Sequence, residues 1–230
     1  MPHNILHRQS LIPLSIAQWK LAFKIFKPKI MKKFIFSLTA IFLSVTGFAQ
    51  QTTTLNQQEI DAILYMREEE KLARDVYEVL YVKWNVNPFG NIRHSEQVHM
   101  DRMKSLITSY KLNDPVEKSN DKQGVFVNSV LQSYYTELTT TGSTSLNEAL
   151  KAGAKIEELD IADLEERVKL TTRPDIISIY NYLKMASENH LRAFVRRLKM
   201  QGVNYVPVIL SKTSFDKILE ADINHNGSQR

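Results

Sequence analysis

The sequence predicts an all-α protein: four long helices, with a long crossover holding a short helix between the second and the third. Three observations carry this. After residue 50, apolar residues recur at steps of three and four nearly everywhere, and alternating Val/Ile-rich runs are scarce. Capping and stop residues fall at the edges of those periodic stretches. A polar, turn-rich stretch, "KLNDPVEKSNDKQG" (111–124), separates the second long helix from everything after it.

The first helix is expected from about Asn56 to Trp84, closed by the turn "NVNPFG" (85–90). The second begins near Asn91 and reaches about Tyr110. Beyond the polar loop, "VFVNSVLQSYYTELTTTG" (125–142) reads as a shorter helix ended by Gly142. "STSLNEAL" (143–150) holds a capping box, Ser145 capping and Glu148 reaching back, so the third long helix runs from there to about Leu170. In "TTRPDI" (171–176) Pro174 sits near the first helical position of the fourth, which runs to about Met200 and stops at Gly202. A bundle with one long, non-antiparallel connection has the connectivity of ferritin-like folds. Residues 203–220 read as a short extended piece and a small helix packed on the bundle. "DINHNGS" (222–228) starts like a calcium loop, but its twelfth position falls beyond Arg230, so it reads as a disordered polar tail.

The formal charge is +5, yet the excess lies at the N-terminus. Residues 31–50, "MKKFIFSLTAIFLSVTGFAQ", have the basic start, short apolar run and small-x-small end of a signal peptide cleaved after Ala49. Met31 reads as the initiator and 1–30 as an upstream extension. Arg8, Lys20, Lys24, Lys27, Lys29, Lys32 and Lys33 precede the cut; without these seven, the 30 basic residues become 23 against 25 acidic ones. Nucleic acid is therefore not an expected partner. The organisation expected is an extension at 1–30, a leader at 31–49, a bundle at 50–201 and a C-terminal extension at 202–230. Export to the periplasm or medium follows, with no stable membrane anchor after cleavage, and the chain is compatible with a homodimer. Cysteine is absent, which excludes disulfides, thiolate sites and cysteine nucleophiles.

Each long helix carries an apolar seam at alternating steps of three and four. The seams are Ile63, Met66, Glu70, Ala73, Tyr77, Leu80, Trp84; Ile92, Glu96, His99, Met103, Leu106, Tyr110; Leu150, Ala154, Glu157, Ile161, Leu164, Val168; and Ile176, Tyr180, Leu183, Ser187, His190, Phe194. Polar residues interrupt all four near the middle: Glu70, Glu96, His99, Glu157, Ser187 and His190. A carboxylate in a core must be protonated, paired or bound to metal. Three acids and two histidines at mid-bundle match carboxylate–histidine sites for two metal ions, and His99 lies only about 60° around the helix from Glu96. The alternative is a buried hydrogen-bonded network. Glu68 and Glu69 read as a solvated face beside Lys71 and Arg74, and His94 as exposed. Tyr77 and Tyr180 read as core tyrosines with bonded hydroxyls.

"EKLARDVY" (70–77) resembles the first-helix pattern of rubrerythrin-type ferritin-like proteins. "MREEEKLARDVY", "NIRHSEQVHMD", "EALKAGAKIEELDIADL" and "ENHLRAF" together resemble the family known as domain of unknown function 2202, over roughly residues 56–200. The resemblance implies a ferritin-like bundle with a di-iron-type centre but hands over no reaction. The carboxylate-rich ligand set suits iron, or alternatively manganese, so ferroxidase or dioxygen- or peroxide-dependent oxidoreductase chemistry is the expectation, with metal held without turnover as the alternative. Glu70 matches the first-helix ligand, and Glu96 with His99 the second-helix Glu-x-x-His. Glu157 is chosen from its seam, with Glu158 and Asp160 open alternatives. On the fourth helix His190 is present, but Ser187 stands where a Glu is expected, and only a π-bulge would turn Glu188 inward.

Overall fold

The computed structural model describes residues 54–227, with side chains to residue 221. The leader expected at 31–49 lies outside these residues. Among the described residues the protein is all-helical, without a strand. The helices are α1 (Gln57–Trp84), α2 (Phe89–Ser109), α3 (Pro115–Lys118), α4 (Ser129–Gly142), α5 (Leu146–Arg167), α6 (Pro174–Met200) and α7 (Lys212–Gly227), with a 3-10 turn at Val168–Leu170. None of them is long and apolar enough to cross a membrane.

Local chemistry sets the boundaries. Asn56 caps α1 in a full capping box with Glu59. The other oxygen of Glu59 accepts from Thr171 Oγ1 at 2.7 Å and Arg173 Nε at 3.2 Å, which ties the start of α1 to the link before α6. Asn85, with φ 48°, ends α1 in the left-handed region that Asn tolerates well. At α5 only half of the expected box forms: Ser145 Oγ accepts from the Glu148 amide at 3.2 Å, while the Glu148 carboxylate pairs with Lys151 at 2.8 Å. The stretch expected to be wholly loop contains α3, a single turn capped by Asp114 with Pro115 in its first position. The expected polar tail is helical as far as Gly227, because α7 continues beyond its anchors Phe215 and Ile218.

Packing pairs α1 with α2 and α5 with α6, while α4 lies against α1 and α5. Two apolar clusters result. One gathers Ile63, Met66, Met103, Leu106, Leu164, Ile176, Tyr180 and Leu183; the other includes Tyr77, Leu80, Phe89, Ile92, Leu150, Phe194 and Leu198. Each fully buried Leu, Ile or Phe contributes about 1.5–3 kcal/mol. The order in which each helix meets the clusters gives its direction. α1 and α6 run from the Met66 cluster to the Phe194 cluster, and α2 and α5 run the other way. Between the clusters, every one of these helices contributes a polar side chain.

The segment "REEEK" (67–71) is buried throughout, contrary to the expectation of a solvated face for Glu68 and Glu69. The crossover covers it. Arg67 Nε bonds Asp114 at 3.1 Å and its Nη1 donates to the Met100 carbonyl at 2.6 Å. Glu68 accepts from the amides of Val127 at 2.6 Å and Asn128 at 3.0 Å. Lys71 pairs with Asp75 and donates to the Lys122 carbonyl at 2.8 Å, over the Phe126 ring.

Candidate metal centre

The polar layer is built from Glu70 of α1, Glu96 and His99 of α2, Glu157 of α5 and His190 of α6. Their spacing in sequence brings them to one level because each occupies an inward seam position of its own helix. His99 Nδ1 lies 2.7 Å from Glu96 Oε2 and 3.1 Å from Glu70 Oε2. His190 Nδ1 lies 3.0 Å from Glu96 Oε1 and 3.5 Å from Glu157 Oε2. The two imidazoles stack, ring centroids 5.5 Å apart and planes 21° from parallel. Glu96 thus reaches one histidine with each oxygen. Two acid–acid–histidine triads result, Glu70–Glu96–His99 and Glu96–Glu157–His190, and within each the donor atoms lie within 4.8 Å of one another.

Several of these atoms lack hydrogen-bond partners. Glu70 Oε1, Glu96 Oε1, Asp160 Oδ1 and His190 Nδ1 are buried and unbonded. His190 Nδ1 and Glu96 Oε1 are close, but not aligned as donor and acceptor. Buried polar atoms are nearly always bonded, so a cluster of unbonded ones around nitrogen and oxygen donors fits a hard or borderline cation. The residues present therefore fit the metal that the sequence motifs imply.

Without metal, protons compensate the charges. Burial pushes Glu96 up, but the His190 and His99 imidazoles overcome it and hold the carboxyl down at about 2. Burial opposes charge on His99, yet Glu96 and Glu70 raise it to about 12. His190, likewise penalised by burial, is raised by Glu96 and Glu157 to about 10. Burial lifts Glu70 to about 7, with His99 pulling down and Glu96 pushing up. Burial also raises Glu157.

Around the triads, Tyr77 donates to Glu157 Oε1 at 2.5 Å. Gly153 makes room for this arrangement: a Cβ there would stand 2.3 Å from Phe194 Cε1, and its carbonyl lies 3.3 Å from the Tyr77 hydroxyl. Tyr77, Phe89 and Phe194 form a tilted aromatic cluster, centroids 5.2–5.9 Å apart, directly beneath. On the other side Tyr182 meets His99 edge-on at 6.0 Å.

A model of the uncharacterised protein domain DUF2202 matches residues 59–222. The chain belongs to this family. An uncharacterised protein of Methanocaldococcus jannaschii, MJ0754, is 46% identical to this DUF2202 chain over 167 residues, spanning 73% of this chain and 89% of the relative. A crystal structure of hypothetical protein MJ0754 from Methanococcus jannaschii superposes with a TM-score of 0.70 at 46% identity, covering 72% of this chain and 94% of that one.

Within the DUF2202 domain the three acids singled out on α5 separate cleanly. Glu157 faces His190. Glu158 points away, accepting from Tyr205 Oη at 2.6 Å and from the amides of Val208, Ile209 and Leu210 at 2.8–3.0 Å, so it straps the C-terminal segment down. Asp160 accepts a hydrogen bond from Ser187. No π-bulge turns Glu188 inward: α6 is continuous, and Glu188 sits near Lys184 at 3.7 Å. Glu69, expected in solvent, is buried with both oxygens unbonded; burial and then Asp163 raise its pKa well above the carboxylate range. Sequence reasoning missed it because its neighbours Arg67, Glu68 and Lys71 make the run look like a charged surface. His94 is exposed as expected. Tyr77 has its expected hydroxyl partner, whereas Tyr180 is buried with its hydroxyl unbonded.

Proposed function

We propose that this DUF2202 protein is an exported, ferritin-like metal protein that holds two ions, iron or manganese, and uses them in ferroxidase or peroxide- or dioxygen-dependent oxidoreductase chemistry. One observation carries the reading: two buried acid–acid–histidine triads share Glu96 and leave donor atoms unbonded. Carboxylate-rich ligation with imidazole suits iron and manganese better than soft metals. The opposed helix directions and the crossover between parallel α2 and α5 support the ferritin-like arrangement.

Glu70 and His99 would hold one ion, Glu157 and His190 the other, with Glu96 between them. A bound pair would supply one-electron redox chemistry toward dioxygen or peroxide. The chain's own part is positional and protic. Tyr77 orients Glu157 through its hydroxyl and can return a proton at that oxygen. The His99 and His190 Nδ1 protons leave when ions enter, so affinity rises with pH. His190 keeps 11% of its side chain exposed against none for His99, which makes the Glu157 side the open face.

The near-complete burial of Glu70, Glu96 and His99 favours a second reading, a protein that holds metal without turnover. Elemental analysis of the purified chain, followed by aerobic iron(II) oxidation watched by absorbance with Glu96→Ala as control, separates the two. Oxidation faster than the control supports the enzyme; stoichiometric metal without it supports holding alone. A chain that takes up neither iron nor manganese, and whose Tm ignores chelator, leaves only a structural bundle. Export rests on the leader at 31–49; mass spectrometry of the secreted or periplasmic product should find an N-terminus at Gln50.

A further inference from the structure

The α6 half-motif Ser187-x-x-His190 lacks the carboxylate that Glu96-x-x-His99 supplies on α2. A carboxylate nevertheless reaches that place from α5. Asp160 follows Glu157 by three residues, the spacing that stacks side chains on one helix face. Ser187 Oγ donates to Asp160 Oδ2 and lies 3.0 Å from the Leu183 carbonyl, the other partner its proton can take. Asp160 is 5% exposed, and its second oxygen, Oδ1, is buried without any hydrogen-bond partner. The charges that act on it most strongly are Glu70, Glu157 and Glu96, members of both triads. Asp160 is thus bonded through one oxygen only, and its other oxygen is free to take a cation.

We propose that Asp160 is a further metal ligand, beside Glu157 rather than in place of it, offering its unbonded Oδ1 to one of the two ions while Ser187 orients it through Oδ2. The carboxylate missing from α6 is thus transposed to the facing helix, and Ser187 is the positioning residue that the exchange requires. A serine at that position is small enough to admit a partner from α5 and polar enough to hold it. This assignment rests on the reading that the triads bind metal.

Anaerobic manganese(II) titration of the full chain by calorimetry tests it. Wild type should take up two ions. Asp160→Asn keeps size and an acceptor for Ser187 but loses the anionic donor, so one of the two ions should weaken about 100-fold and the other should not change. Ser187→Ala should weaken the same ion by about tenfold and leave the other unchanged, with circular dichroism at the wild-type value and a lowered metal-free Tm. Two wild-type affinities in Asp160→Asn would overturn the ligand assignment while leaving the metal reading intact. If that variant does not fold, Ser187→Ala decides, since unchanged affinities there overturn the positioning and with it the proposal. Failure of the wild type to bind manganese or iron would instead remove the metal reading itself.

Discussion

Helix α1 buries charges on two sides, and the two sides are handled differently. Toward the crossover, Arg67, Glu68, Lys71 and Asp75 are each bonded to a named partner, and Asp75 takes Lys71, Arg74 and the Gly124 amide at once. Toward the other long helices, both oxygens of Glu69 and Oε1 of Glu70 meet no donor in hydrogen-bonding geometry. Burial is equally deep on both sides. What differs is completeness: a satisfied network anchors a loop, and an unsatisfied one leaves donor atoms available to a ligand. Burial of charge alone would not have told a structural patch from a site.

Lys71 is where the two sides should differ most. Breaking a buried ion pair leaves an uncompensated charge, so Lys71→Ala should cost about 3–5 kcal/mol in urea unfolding, yet leave the number of bound metal ions at the wild-type value. Loss of metal in a folded Lys71→Ala chain would show the two networks to be one. Next is Gly153→Ala, where the new Cβ meets the Phe194 ring. Overpacking should cost about 1–3 kcal/mol and displace Tyr77 from Glu157, visible as altered tyrosine absorbance on metal loading.

Proton occupancy also distinguishes the two sides. Folded Glu70, raised to about 7, keeps a proton that the unfolded chain releases near 4.5, so its contribution is whole below 4.5 and lost as pH climbs to 7. His99 and His190, raised to about 12 and 10, stabilise fully below 6.5 and lose that contribution as pH rises beyond it. Both trends have one sign. The Tm of metal-free protein should fall between pH 5 and 8 by on the order of 5 °C, and saturating manganese(II) should reverse the slope. A metal-free Tm that rises over this range contradicts the account. The smallest effect is expected from Glu70→Gln: removing a buried ionisable acid should raise metal-free stability at pH 8 by about 1 kcal/mol. The same change should weaken manganese(II) at least about tenfold. Lower stability without metal would place Glu70 with the structural charges.

Much of the helical layout was legible because period and caps are local: Asn56, Pro174 and Gly202 mark boundaries wherever the chain goes. The seam positions Glu70, Glu96, His99, Glu157 and His190 were legible for the same reason, since inward-facing acids stand out against Ile, Leu and Met. "REEEK" misled because local composition cannot show that a segment 47–60 residues later will lie over it. The α5 acids stayed unresolved because Glu157 and Asp160 share one face and Glu158 lies on another, and only the packed neighbours tell which face is which.

The periodic sequence made plain that the chain is helical, roughly where its four long helices begin and end, and which seam residues face inward. Those properties depend on contacts within four residues. Tertiary structure decided that Glu96 stands between two histidines, that Glu158 straps the C-terminal segment, and that Asp160 answers Ser187 across two helices. Such pairings join residues tens of positions apart, and side-chain direction plus helix packing, rather than composition, select them.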